Sequence, residues 1–198
     1  MSINLRILAG LLACFGPLAA WAQESALPAV VNMKCVLCHG EKGDTSSDGF
    51  PRLVGQHEIY LAKQLRDFQS GARDGIMARM AKGLSADDIT AIARYYAMQP
   101  ATAATSAPSE LAAVGRYIYQ HGNSYSGIPA CKGCHGEAAH GTPHLPRLAG
   151  QHANYLERQV KDFTQRKRTN DNEVMHSVAE KLTALETRAV AEYLASLP

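Results

Sequence analysis

Cys35-Val36-Leu37-Cys38-His39 and Cys131-Lys132-Gly133-Cys134-His135 are two copies of one pattern, 96 residues apart in a chain of 198. Two cysteines one helical turn apart, followed directly by a histidine, form the attachment string of a covalent c-type heme. The thiols add to the two vinyl groups and the next residue's imidazole reaches the iron. A dithiol redox pair needs no histidine after its second cysteine, and a zinc site needs a second cysteine or histidine pair nearby in each unit. Both strings run on into glycine within matching surroundings. The sequence therefore predicts two covalently bound heme c groups, one on Cys35 and Cys38 and one on Cys131 and Cys134, with His39 and His135 as iron ligands.

The matching surroundings are an internal repeat. Pro51-Arg52-Leu53, Gly55-Gln56-His57, Tyr60-Leu61, Gln64 and Asp67-Phe68 recur 95 positions on as Pro146-Arg147-Leu148, Gly150-Gln151-His152, Tyr155-Leu156, Gln159 and Asp162-Phe163. Further along the offset becomes 98, pairing Met77 with Met175, Leu84 with Leu182 and Tyr95 with Tyr193. One loop of the second copy thus carries three extra residues, as insertions usually do. Between the copies lies a proline-bounded run of small residues without amphipathic pattern. The expected organisation is a first domain over 23–99, a linker over 100–109 and a second domain over 110–198. Units this small struggle to build a large apolar core alone, so a buried heme would supply part of it.

Residues 1–22 read as a secretory signal peptide. Arg6 supplies the positive start, Ile7 to Ala20 is mostly apolar, and Ala20-Trp21-Ala22 offers small residues for cleavage before Gln23. Leu11-Leu12-Ala13-Cys14 faintly resembles a lipoprotein box, but the apolar stretch before it is short and a better cleavage site follows. A lipid or an uncleaved anchor is thus the less favoured reading. The other four cysteines are taken up by heme, leaving none for disulfides, and an exported chain with this motif points to the periplasm. The formal charge of +2 falls to about +1 without Arg6, and four heme propionates would make it slightly acidic. No basic field suited to nucleic acid exists.

The pattern is all-α. Ile59, Leu61, Leu65 and Phe68 fall at near-helical spacing between His57 and Gly71, as do Tyr155, Leu156, Val160 and Phe163 between His152 and Arg166. Both sets are expected core faces. Ser85, followed by Asp87 and Asp88, is a candidate N-cap for a helix to about Met98. Thr183-Ala184-Leu185-Glu186 has capping-box form and opens a matching helix to about Leu197.

A histidine-ligated heme in an electron carrier commonly takes a methionine on its other face. Met77 and Met175 occupy matching places seven residues before Leu84 and Leu182, whereas Met80 aligns with Val178, which cannot bind iron. Met77 and Met175 are therefore the expected second ligands, with Met80 packing nearby. His176 competes with Met175, but its repeat partner Ala78 cannot coordinate. His57 and His152, at helix starts, read as surface or capping residues. His121, His140 and His144 read as solvated loop residues, and Arg166-Lys167-Arg168 as a solvated loop. The Pro51 and Pro146 carbonyls are placed to accept the free ring N–H of each axial histidine. Arg52, Arg147, Tyr60 and Tyr155 have the reach for heme propionates, and suit surface or core positions equally.

The tandem Cys-X-X-Cys-His-Gly, Pro-Arg-Leu-X-Gly-Gln and Tyr-Leu-X-X-Gln segments, with a methionine before Leu-Ser or Leu-Thr and a final tyrosine-bearing helix, resemble diheme class I cytochromes c of the cytochrome c4 family. The resemblance covers essentially the whole chain after the signal. It implies two tandem class I cytochrome c domains packed face to face, each wrapped around one heme, with His39/Met77 and His135/Met175 ligation. It further implies an electron carrier rather than an enzyme, with a quinol-oxidising complex or dehydrogenase as donor, a terminal oxidase or reductase as acceptor, and peripheral membrane association in some members. An alternative is the electron-accepting subunit of a periplasmic dehydrogenase, and a third a diheme peroxidase with one open iron. One departure stands out. Gly115-Arg116-Tyr117-Ile118-Tyr119 leads into the second heme string, but Ala26 to Lys34 lack that pattern, so the first helix should be short.

Overall fold

The computed structural model describes residues 27–102 and 109–198. The signal peptide expected over 1–22 and most of the linker expected over 100–109 lie outside these residues. The first half runs α1 (Ala29–Lys34), α2 (Val36–His39), α3 (Glu58–Ser70), α4 (Ile76–Ala81) and α5 (Ala86–Met98). The second runs α6 (Glu110–His121), α7 (Lys132–His135), α8 (Ala153–Thr164), α9 (Val174–Ala179) and α10 (Ala184–Ala195). Among the described residues no β-strand forms, only isolated bridges.

The helix ends follow the sequence chemistry. Ser85 accepts the Asp88 amide at 3.0 Å while the Asp88 carboxylate accepts the Ser85 amide at 2.9 Å. Thr183 and Glu186 repeat this reciprocal cap at the start of α10, at 3.2 and 2.9 Å. Each box satisfies two amides that a helix start leaves without partners. Leu61, Leu65 and Leu156 pack inward as expected, but Ile59 is half exposed. It sits in the first turn of α3, two residues from Leu61 and therefore on the opposite face of the helix.

The two halves solve the same packing problem with different tyrosines. In the second, the twelve-residue α6 lies against α10, and a Cβ on Gly115 would stand 1.9 Å from the Ala189 carbonyl oxygen. Only glycine permits this backbone approach. Tyr119, fully buried, stacks near Tyr193 and donates to the Gly136 carbonyl at 2.6 Å. In the first half α1 has six residues and no aromatic. Tyr96, from the far helix α5, is fully buried instead and aims its hydroxyl at the Gly40 carbonyl, the repeat equivalent of Gly136. The Tyr96 ring crowds Gly43, where a Cβ would meet it at 2.7 Å, whereas the equivalent Ala139 holds a Cβ at the same left-handed backbone angle. Both residues offer the same carbonyl to two amides, of Leu53 and Val54 and of Leu148 and Ala149.

The halves clasp each other through equivalent side chains. Gln151 accepts the Arg52 amide and donates to the Arg52 carbonyl, both at 2.9 Å. Gln56 does the same to Arg147, at 2.8 and 3.0 Å. The His57 ring reaches the His140 carbonyl at 2.7 Å and the His152 ring the Thr45 carbonyl at 2.8 Å. Each glutamine satisfies one donor and one acceptor of the opposing backbone, as a neighbouring strand would. His57 and His152 do occupy the N-cap positions of α3 and α8, but their side chains make no cap. They bridge the halves.

Gly115→Ala should push α6 off α10 and destabilise the second half by about 1–3 kcal/mol, the usual cost of overpacking, measured by denaturant unfolding. The Glu186 carboxyl is held below the ordinary range, chiefly by the Thr183 amide. A folded pKa below the unfolded one means stability that is complete above the unfolded value, about 4.3, and lost as pH falls through the folded one. The stability gap between the native chain and Glu186→Ala should therefore be full at neutral pH and close on acidification below about pH 4.

Candidate heme sites

Each Cys-X-X-Cys-His string folds as one short helical turn, α2 or α7, stopped by a left-handed glycine, Gly40 or Gly136. A single turn puts the two thiols on one side and drives the histidine inward. Cys35, Cys38 and Cys131 are half-buried and Cys134 is exposed, and among the described residues no disulfide joins them. Burial pushes the thiols of Cys35 and Cys131 up to about 11. They are protonated at neutral pH, the form that adds across a vinyl group. Gly133, between the second pair, has open space at its Cβ position, and Leu37, in the first, is almost fully exposed.

His39 and His135 are both buried. The Nδ1–H of His39 donates to the Pro51 carbonyl at 2.9 Å, and that of His135 to the Pro146 carbonyl at a looser 3.5 Å. These are the two acceptors expected from the repeat. Burial holds both imidazoles below their ordinary pKa, against the opposing pull of the carbonyl bond, so each is neutral. With Nδ1 spent, Nε2 carries the lone pair and has no hydrogen-bond partner among the described residues. This is the donor a heme iron requires.

Met77 sits on α4, half-buried and packed on the first core, while Met80, one turn on, is 39% exposed. Met175 lies half-buried on α9, its amide accepted by the Asp171 carboxylate. His176 is turned away. Its Nδ1 donates to the Phe163 carbonyl at 2.9 Å and its Nε2 stands 3.4 Å from the Glu180 carboxylate. Its ring is thus held by the Phe163 carbonyl and faces the Glu180 carboxylate. A paired thiol turn, a neutral buried imidazole with one free nitrogen and a half-buried thioether fit a heme in each half.

The four residues with reach for propionates are all at the junction of the halves. Arg52 is buried and donates to the Gly150 carbonyl at 2.8 Å, and Arg147 donates to the Pro198 carbonyl at 2.6 Å. The Tyr60 hydroxyl accepts from Arg168 at 3.0 Å and that of Tyr155 from Arg73 at 3.2 Å. The Arg166-Lys167-Arg168 run is only partly a solvated loop. Arg166 and Lys167 are exposed, but Arg168 is buried, drawn in by Gln64, Gln159 and Tyr60 across the junction. Arg73 and Arg168 stand 95 positions apart, the repeat offset, and that was the signal available for this buried pair. The three extra residues of the second copy accordingly fall between Arg168 and Met175. There Asn170 reaches back to Gln64 of the first half at 3.0 Å.

Two family models match the chain, one described as cytochrome c over residues 112–198 and one as cytochrome c oxidase, cbb3-type, subunit III over residues 22–95. Cytochrome c4 of Thiocapsa roseopersicina is 39% identical over 85% of this chain and 90% of its own length. The thiosulfate dehydrogenase electron acceptor of Thiomonas intermedia is 41% identical over 91% of this chain and 84% of its own. A crystal structure of reduced recombinant cytochrome c4 from Pseudomonas stutzeri superposes with a TM-score of 0.80 at 35% identity, covering 85% of this chain and 95% of that one.

Substituting the methionines separately tests the ligand assignment. Met77→Ala and Met175→Ala should each remove the methionine-to-iron charge-transfer band of one ferric heme, while Met80→Ala and His176→Ala leave both bands in place. Loss of the first band in Met80→Ala alone would move the ligand by one helical turn.

Proposed function

We propose, because the chain belongs to the cytochrome c4 family of diheme electron carriers, that it relays electrons in the periplasm between a quinol-oxidising complex or dehydrogenase and a terminal oxidase or reductase. The observation that supports relay over catalysis is the sameness of the two sites. Each half offers an imidazole fixed by a proline carbonyl and a methionine on the short helix seven residues before a leucine, Leu84 or Leu182.

Bound heme supplies a ferric–ferrous couple. His39 and His135 would hold one face of each iron and Met77 and Met175 the other, with thioether links from Cys35, Cys38, Cys131 and Cys134. Held by an imidazole and a thioether, each iron would keep no open position for a substrate, so the chemistry supplied would be electron transfer. The proline carbonyls orient the imidazoles and raise their basicity. The thioethers favour the reduced iron, so both sites suit electrons arriving at high potential. Clasped carboxamides keep the two sites at a fixed separation, which lets an electron pass between them without domain motion.

The periplasmic assignment rests on the signal-like start of the sequence. Among the described residues no helix is long and apolar enough to cross a membrane. A second reading, an electron-accepting partner of a periplasmic dehydrogenase, is favoured by the Thiomonas relative. The two readings share chemistry and differ in the donor.

A redox titration of the purified protein followed by its spectra should show two low-spin hemes, both at high potential, and no reaction with peroxide. A high-spin or low-potential component would defeat the symmetric ligand scheme. Co-purification with a stoichiometric dehydrogenase would favour the second reading.

A further inference from the structure

Between α8 and α9, three residues other than glycine hold a positive φ: Arg166 at 55°, Asn172 at 58° and Glu173 at 65°. The first half has glycine at two of the matching places. Gly71 lies 95 positions before Arg166 and Gly75 lies 98 before Glu173, the two offsets of the repeat. Gly71 and Gly75 take φ values of 81° and 125°, and a Cβ on either would meet nothing within 4 Å. Space does not call for glycine there, so backbone conformation does. At such angles a side chain crowds its own backbone, which asparagine tolerates and arginine and glutamate resist.

The second half replaces both glycines with residues of opposite charge, and these find each other. Arg166 Nη1 donates to Glu173 Oε1 at 2.6 Å, with side chains 52 and 61% exposed. The pair ties the chain just after α8 to the N-cap of α9, across the loop that carries the three extra residues. Met175 follows Glu173 by two residues, as Met77 follows Gly75. The Met175 amide is accepted by the Asp171 carboxylate, whereas in the first half the Asp74 carboxylate accepts the Gly75 amide at 2.7 Å. Unlike devices thus set the two methionine helices. One uses the freedom of glycine, the other a charge pair closed over strained backbone.

We propose that Arg166 and Glu173 are positioning residues for the second iron: their ion pair holds the strained loop closed and so keeps Met175 on its ligand. This rests on the diheme reading above. The two residues act through Met175 alone. An exposed pair weakens as salt screens it, so the hold on Met175 slackens with ionic strength. The hold on Met77, whose loop has glycine at both places, does not.

Imidazole is the probe, added to the ferric, heme-loaded protein. It binds an iron only once the methionine has left, so its apparent affinity reads the open fraction of each loop. The charge-transfer bands lost in Met77→Ala and Met175→Ala assign the two sites. Arg166→Gln and Glu173→Gln should each raise the affinity of the second site by about two- to five-fold, the range an exposed ion pair supplies, and leave the first unchanged. The double glutamine variant should match the single ones, since one interaction is lost in all three. Arg166→Gly combined with Glu173→Gly should bring the affinity back toward the native value. High salt should raise the affinity of the native second site and leave the double glutamine variant unmoved. An unchanged second site in the glutamine variants, additive changes in the double one, or equal changes at both sites would overturn the proposal. A double glycine variant as open as the double glutamine one would overturn strain as what the pair opposes. Bands that survive in both Met77→Ala and Met175→Ala would instead defeat the ligand reading beneath it.

Discussion

One short piece of backbone answers to two masters. The Pro51 carbonyl accepts the His39 ring N–H, and the next residue, Arg52, has both its amide and its carbonyl held by Gln151 of the other half. The same arrangement recurs around Pro146 and Arg147, with Gln56 as the clasp. An imidazole in a buried site turns freely about its side-chain bonds unless its second nitrogen is fixed. The fixing group here is itself fixed by the opposite domain. Orientation of each histidine and docking of the halves are therefore one constraint, which explains why the Pro-Arg-Leu-X-Gly-Gln segment is kept intact in both copies.

Around that constraint the copies have drifted where physics allowed. A buried tyrosine hydroxyl meets the glycine carbonyl after each histidine, yet it arrives from α6 in one half and from α5 in the other. What is preserved is a satisfied carbonyl and a filled volume, since an empty space or a lone buried acceptor would each cost stability. Gly43 and Ala139 tell the same story at smaller scale: the left-handed turn and its two amide partners persist, and the side chain is lost only where the Tyr96 ring leaves no room. The histidine bonds also differ, 2.9 Å against 3.5 Å. Like donor sets thus sit in unlike surroundings.

Much of this was legible in the sequence because covalent chemistry and duplication are loud signals. The heme strings stand at a fixed spacing, and the caps at Ser85 and Thr183 follow from local hydrogen bonding. The junction was harder to read. Gln64, Gln159, Arg73 and Arg168 look like solvent-facing residues to any rule based on polarity, and Arg168 sits in a basic run that reads as loop. Their burial depends on a partner surface 95 residues away, which no local pattern encodes. The same applies to His57 and His152, whose partners are backbone carbonyls of the opposite copy. Periodicity reports which face is apolar. It does not report what covers a polar face.

The reciprocal clasp makes the junction isologous: each copy presents the same patch and receives the same patch, as in a two-fold dimer. Gln56 on Arg147 is equivalent to Gln151 on Arg52, so these bonds carry no mark of which chain a copy belongs to. Pairing within a chain is then favoured over pairing between chains by tethering alone, through the effective concentration that the intervening segment imposes. The chain behaves as a homodimer whose stoichiometry was written into its covalent structure. Its concentration dependence was traded for a leash.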